Sequence, residues 1–157
     1  MEKSNVFYRG DLNRMYPVME KAEGIYIYDS TGNKYLDAQS GIGVMNLGYG
    51  VGEIIDAMAD QAGKLPFCYT ILYTSQAQED LARMIAALAP PGLNKVWFSL
   101  GGAEANECAM KAARQYHVET GNPSKYKIIS RWQSYHGSTL ATLSVTGNQV
   151  WRKNFAP

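Results

Sequence analysis

The chain has 157 residues and a formal net charge of +1, enough for one domain around a modest core. Hydrophobic residues make up 46% and charged residues 18%, ordinary for a soluble globular protein. No basic run or stripe suggests nucleic acid, no apolar run is long enough to span a bilayer, and the N-terminus has no apolar signal core. Cys68 and Cys108 form no CxxC pair, which fits a reducing, cytoplasmic setting, and with only His117 and His136 besides, no His/Cys metal site is expected.

Residues 1–20 mix polar and aromatic types without a clear period and read as an arm. Ile25, Tyr26, Ile27 and Tyr28 then read as a strand. Asp29-Ser30-Thr31-Gly32-Asn33 is turn chemistry, and residues 34–37 return as a second strand, giving a hairpin. Residues 41–52, GIGVMNLGYGVG, are glycine-rich, which permits unusual backbone angles and close approach of other groups. A helix over 53–64 follows, with Ile54, Ile55, Met58, Ala59 and Ala62 on one side and Pro66 after it. FCYTILYT reads as a short strand or a buried loop. Ser75 then caps a helix over 76–89 whose apolar face is Leu81, Met84, Ile85 and Leu88, stopped by Pro90-Pro91-Gly92.

The next stretch reads as a βαβ unit. Residues 95–99 form a buried strand, Leu100-Gly101-Gly102 turns, and 103–119 is a helix with an apolar stripe of Ala105, Cys108, Ala109, Ala112 and Tyr116. Gly121-Asn122-Pro123 ends it, and 126–130 is a second strand, normally parallel to the first. No internal repeat or low-complexity linker is present. The final GNQVWRKNFAP shows no capping or tail character.

Two places could carry chemistry. Gly101-Gly102-Ala103-Glu104-Ala105-Asn106-Glu107 follows a strand and opens a helix. Helix N-termini carry unpaired N–H groups and partial positive charge, and glycine lets an anion approach that backbone closely. A tight turn without a ligand explains the same residues, because Glu104 and Glu107 are themselves favourable in a first helical turn. GxGxxG and GK[ST] are both absent, which disfavours dinucleotide and P-loop phosphate sites. The second place is Trp132-Gln133-Ser134-Tyr135-His136-Gly137, just past the carboxyl end of the second strand. In open parallel sheets, ligands bind outside the strand carboxyl ends, so both places face one crevice. Tyr135 can stack there on a planar ring. Core packing of Tyr135 and a structural hydrogen bond to His136 are the competing readings.

KVWFSLGGAEANECAMKAAR resembles the phosphate-binding segment of class III (omega-amino-acid type) aminotransferases. KYKIISRWQSYHGSTLATLSVTG resembles the family's next cofactor segment, and EGIYIYDSTGNKYLDAQSGIGVMNLGYG its N-terminal hairpin and glycine-rich substrate segment. The resemblance covers roughly residues 17–150. It implies an α/β fold, part of the fold-type-I pyridoxal-phosphate-dependent transferase architecture. Residues 1–52 would belong to the small domain, and 53–157 would begin the large domain with its mostly parallel sheet. It further implies that Gly101, Gly102 and Ala103 bind the phosphate of pyridoxal 5'-phosphate, that Tyr135 stacks on its ring, and that His136 and Gly137 complete the turn beside it. The implied reaction moves an amino group from an amine or omega-amino acid to a keto acid, with the cofactor as electron sink. A cytoplasmic homodimer without nucleic-acid or membrane partners is the implied full-length enzyme.

Three departures qualify that expectation. The family's Schiff-base lysine and the aspartate that pairs with the pyridine nitrogen lie downstream of the segments matched. No lysine here sits in the expected context, so the isolated chain is expected to be an inactive, truncated part with no catalytic residue of its own. Ala103 stands where many relatives carry a hydroxyl, which would forfeit one phosphate hydrogen bond at about 1–2 kcal/mol. The Gly41-Ile42-Gly43 segment has glycine where amine–pyruvate relatives often place a large aromatic, suggesting a roomier pocket that Met45, Tyr69 and Tyr73 could line, with an apolar core role the competing reading for each. An aminomutase or decarboxylating relative, a non-catalytic cofactor-binding piece, and an unrelated phosphate-ligand α/β module remain alternatives.

Overall fold

The computed structural model describes residues 4–8, 10–11 and 13–155. The chain divides into two compact units, Met1–Thr74 and Ser75–Pro157.

The first unit is built on a three-stranded antiparallel sheet in the order β1 (Met19–Glu23), β2 (Tyr26–Asp29) and β3 (Lys34–Leu36). The expected hairpin is β2–β3, with Tyr26 opposite Leu36 and Tyr28 opposite Lys34. Asp29 organises its turn. The carboxylate is 5% exposed and accepts hydrogen bonds from the backbone N–H of Thr31 (3.0 Å) and Asn33 (2.9 Å). It also accepts from Thr31 Oγ1 (2.8 Å), Asn33 Nδ2 (2.9 Å) and Tyr35 Oη (2.8 Å). Such a cage satisfies a buried charge and holds the carboxyl well below the usual carboxylate range, the Asn33 side chain contributing most.

β1 lies where the sequence reads only as an arm. Met-Glu-Lys-Ala-Glu has no alternating apolar face, and all but Ala22 are exposed. Backbone pairing to β2, with an irregularity between Met19 and Lys21, makes it a strand, and periodicity cannot report pairing of that kind.

After β3 the backbone takes an uncommon path. The short segment α1 (Ser40–Gly43) is a left-handed turn. Gly41 and Ile42 have φ/ψ of 57/37° and 61/42°, and Ser40 and Gly43 have φ of 48° and 84°. Each L-residue held in this region costs about 1–2 kcal/mol. α2 (Gly52–Lys64) follows within the first unit. Residues 67–74 carry no strand, and Phe67, Ile71 and Leu72 are exposed at 74%, 76% and 68%. The expected strand or buried loop is therefore a turn-containing exposed segment, with Leu72 and Tyr73 N–H donating to the Tyr69 carbonyl.

The second unit holds α3 (Gln76–Leu88), α4 (Gly102–Glu119), α5 (Leu140–Val145) and α6 (Gln149–Arg152). Ser75 caps α3 as expected, its hydroxyl accepting from the Gln78 N–H at 3.3 Å. The two expected parallel strands do not form: among the described residues, 95–99 and 126–130 carry no ladder. A strand needs a neighbour to receive its N–H and C=O groups. Trp97, Ile128 and Ile129 are exposed at 79%, 49% and 97%, so the apolar runs read as core have no cover here. The helix between them carries its expected stripe without burying it. Ala105, Ala109, Ala112 and Tyr116 are exposed, and the half-buried positions are Ala103, Glu107, Cys108, Met110 and His117. α5 and α6 are absent from the sequence expectation. Thr139 and Thr142 form a reciprocal capping box at α5, and Asn148 caps α6 by accepting from the Val150 N–H at 3.0 Å. The final segment therefore does carry capping chemistry. Around α5, Thr142, Leu143 and Thr146 are buried, and Leu143 is the one buried apolar side chain among the described residues. No described helix is long and apolar enough to cross a membrane.

Candidate functional site

The two segments singled out in the second unit meet. Gly101 is the N-cap of α4 in fully extended conformation (φ −171°, ψ 178°), and no side chain caps the helix. The first intrahelical bond of this turn is Ala105 N–H to the Gly101 carbonyl at 2.9 Å. The N–H groups of Gly102, Ala103 and Glu104 precede it and have no carbonyl four residues back. A Cβ placed on Gly102 would meet nothing within 4 Å, so the backbone there opens onto free space. Glu104 is the competing occupant. Its Oε2 lies 3.1 Å from the position a Cβ on Gly101 would take, and an acid there already complements the helix terminus.

Tyr135-His136-Gly137 and the residues just after it come to this turn through close contact and two hydrogen-bonded links, and a third bond ties the loop to α5. Gly137, buried with φ +136°, would put a Cβ 2.8 Å from Ala103 Cβ and 2.4 Å from Thr142 Oγ1. Only glycine fits between them. Asn106 Nδ2 donates to the His136 carbonyl at 2.7 Å, thirty residues away. Thr139 Oγ1 donates to Glu107 Oε1 at 2.5 Å. The His136 N–H donates to Thr146 Oγ1 at 3.1 Å, which ties the loop to the buried end of α5. The His136 imidazole Nε2 is buried and has no hydrogen-bond partner among the described residues.

Tyr135 is 63% exposed, which sets aside core packing as its role in this chain. Its ring stands edge-to-face on Trp151, with centroids 5.8 Å apart and planes at 86°. Trp132, Tyr135, Gly147 and Trp151 line a cavity beside the loop. Gly147 is as constrained as Gly137, since a Cβ there would fall 2.4 Å from the Gln133 N and 2.7 Å from the Arg131 carbonyl oxygen. Its N–H donates to the Ser134 carbonyl at 2.9 Å and clamps the base of the loop, where Gln133 takes φ 56°.

Gly101, Gly102, Ala103, His136 and Gly137 thus assemble around one helix terminus, with Tyr135 on the same loop. Gly43 and Tyr69, the candidate pocket residues, lie in the first unit. Gly43 ends the left-handed turn, and Tyr69, half exposed, opens the turn at Leu72. No hydrogen bond joins them among the described residues. Asn106 and Glu107, part of the first candidate segment, serve as supports, and Thr139, Thr146 and Gly147 are further supporting residues outside both candidate segments. A Thr three residues before another Thr at the head of an apolar run is the signal that could have located the α5 cap, and with it Thr139.

The structure therefore assembles an uncapped helix terminus packed against an aromatic-bearing loop. The family model for class-III aminotransferases matches residues 7–157. A probable aminotransferase of Mycobacterium tuberculosis is 41% identical over 151 residues, covering 96% of this chain and 32% of that protein. Putrescine–pyruvate aminotransferase of Pseudomonas aeruginosa is 43% identical over 131 residues, covering 83% of this chain and 29% of the relative. Among solved structures, an (S)-enantioselective omega-transaminase from Thermomicrobium roseum superposes with a TM-score of 0.92 at 32% identity, over 98% of this chain and 36% of that one. A transaminase from the marine bacterium Virgibacillus gives a TM-score of 0.92 at 34% identity over the same shares. This chain belongs to the class-III aminotransferase family and carries part of its fold-type-I architecture. It spans about a third of the length of these relatives.

Proposed function

We propose that this chain supplies the N-terminal, phosphate-holding part of a pyridoxal-phosphate-dependent aminotransferase that moves an amino group from an amine or omega-amino acid to a keto acid. The observation that carries this reading is the packing of Gly137 against Ala103 at the uncapped start of α4, which joins the two family cofactor segments at one anion-accepting terminus. The free N–H groups of that turn are donors that fit a phosphorylated cofactor.

Pyridoxal phosphate, when bound, supplies an aldehyde that takes up the amino group and a conjugated ring that delocalises the electron pair left by proton loss. This chain's residues bind and orient. Gly102 and Ala103 give backbone N–H groups to the phosphate, and the extended Gly101 lets it approach. Tyr135 covers one face of the ring, while His136 and Gly137 hold the loop beside it. Gly43 and Tyr69 border the amine pocket. In this reading residues 1–52 belong to the small domain and 53–157 begin the large one. The full-length enzyme is a cytoplasmic homodimer whose partners are small amines and keto acids, without nucleic acid or membrane. No lysine in the chain has the family context, so the lysine that holds the cofactor comes from outside these residues. That same observation favours the second reading, a cofactor-binding piece without turnover.

One experiment separates them. Pyridoxal phosphate is titrated into the purified chain and followed by absorbance, then trapped with borohydride and mapped. Saturable binding that weakens when phosphate-free pyridoxal is substituted, with no single lysine labelled and no transamination, is the expected result. Stoichiometric labelling of one lysine, with the absorbance band bleached by an amine, would place a catalytic lysine within these residues and overturn the assignment. Binding that ignores the phosphate would remove the anion site.

A further inference from the structure

The left-handed turn Ser40–Gly43 is the most strained backbone described, and it is built around a single carboxylate. Ser40 and Ile42 take φ of 48° and 61°, a region that L-residues rarely enter and that a β-branched side chain enters least readily. Such outliers persist only where the surroundings over-determine them. Here the surroundings combine local bonds, Gly43 N–H to the Gln39 carbonyl (3.1 Å), Met45 N–H to the Ser40 carbonyl (2.8 Å) and Asn46 Nδ2 to the Gly43 carbonyl (3.0 Å), with a side-chain clamp made of Asp37 and Tyr49. Asp37 Oδ2 accepts from the Gly41 N–H at 2.8 Å, and Oδ1 accepts from the Gln39 N–H at 3.3 Å. Tyr49 Oη donates to the same Oδ2 at 2.8 Å.

Both residues are fixed to the sheet. The Asp37 N–H donates to the Ile25 carbonyl at 2.9 Å. Tyr49 exchanges two backbone hydrogen bonds with Gly24, its N–H donating at 2.8 Å and its carbonyl accepting at 3.0 Å. Gly48 lies so close to Gly24 that a Cβ would sit 2.8 Å from its carbonyl oxygen. The path runs from sheet to Gly24, Tyr49, the Asp37 carboxylate and the Gly41 amide. At its end Ile42 is 87% exposed, and Gly43 presents bare backbone.

We propose that Asp37 and Tyr49 are positioning residues that hold Ser40–Gly43 in its left-handed turn and thereby present Ile42 and Gly43 to the amine substrate. The substrate half of this inference rests on the pocket reading above; the clamp half does not. A carboxylate suits the task because one oxygen accepts from both a backbone amide and a phenol. An amide at position 37 could turn an NH2 group toward those donors.

The test has a structural and a functional arm. NMR on the full chain reads the strong amide–α-proton NOE that a positive φ produces at Ile42. Asp37→Asn should abolish it, Tyr49→Phe should weaken it, and Ser40→Gly in the Asp37→Asn background should recover part of it by lowering the conformational cost. In the holoenzyme that carries this segment, Asp37→Asn should raise KM for the amine about tenfold or more while leaving cofactor affinity unchanged. Survival of the NOE in Asp37→Asn would overturn the clamp. Loss of the NOE with an unaltered amine KM would reduce the pair to a purely structural role and overturn the positioning claim. Absence of transfer in the unsubstituted holoenzyme would defeat the functional reading and the substrate half together, while the NOE series still decides the clamp.

Discussion

Replacing Gly137 with alanine adds one methyl group at the point where the two cofactor segments touch. The ideal Cβ would lie 2.4 Å from Thr142 Oγ1, 2.7 Å from Thr142 Cβ and 2.8 Å from Ala103 Cβ, all well inside contact distance. Thr142 cannot swing away cheaply, since it is fully buried and its hydroxyl belongs to the α5 capping box. Forcing a methyl into a filled site costs about 1–3 kcal/mol. Holding an L-residue at φ +136° adds a similar amount, about 1–3 kcal/mol. The sum, about 2–6 kcal/mol, is comparable with the stability of a marginal domain. Gly102→Ala is the matched control, because a Cβ there meets nothing within 4 Å. Urea unfolding followed by tryptophan fluorescence should show Gly137→Ala displaced far to lower denaturant and Gly102→Ala within about 0.5 kcal/mol of the parent. Equal midpoints for Gly137→Ala and the parent would refute the packing of Ala103, Gly137 and Thr142, and with it the convergence of the two segments.

Three further outcomes are expected. Gly102→Asp should abolish pyridoxal phosphate binding in a spectroscopic titration, since a carboxylate at the open face of the α4 terminus would repel and displace a phosphate; unchanged affinity would remove the anion site. Tyr135→Ala should weaken cofactor binding by about 1 kcal/mol through lost stacking, with the urea midpoint little changed because the ring is largely exposed; an unchanged Kd would confine Tyr135 to its contact with Trp151. Acidification should destabilise the first unit. The Asp29 carboxyl is held below its unfolded value of about 4, so its contribution is full above that pH and is lost as pH falls through the folded value. Asp37, lowered mainly by the Tyr49 phenol, adds in the same direction. Asp29→Asn should therefore lower the urea midpoint at pH 7 and flatten its dependence below pH 4, and an equally steep acid limb in that variant would reassign the acid sensitivity.

What the sequence by itself determined here is local. The β2–β3 hairpin follows from a turn whose Asp29 and Asn33 side chains bond their own backbone. The Ser75 cap and the helices Gly52–Lys64 and Gln76–Leu88 follow from capping chemistry and apolar spacing. The helix opened by Gly101-Gly102 and the order of the family motifs are legible for the same reason. Each signal is carried by residues a few positions apart. Tertiary structure decided the rest. β1 is a strand because β2 offers its backbone, although Met19–Glu23 has no strand pattern. Residues 95–99 and 126–130 have a strand's composition and no ladder, because pairing depends on a neighbour and composition does not provide one. Beside the left-handed turn at Ser40–Gly43, the Tyr49 phenol meets the Asp37 carboxylate twelve residues away. The seating of Gly137 on Ala103 joins positions more than thirty residues apart. Contacts at such separations leave no periodicity in the chain, so only the folded structure specifies them.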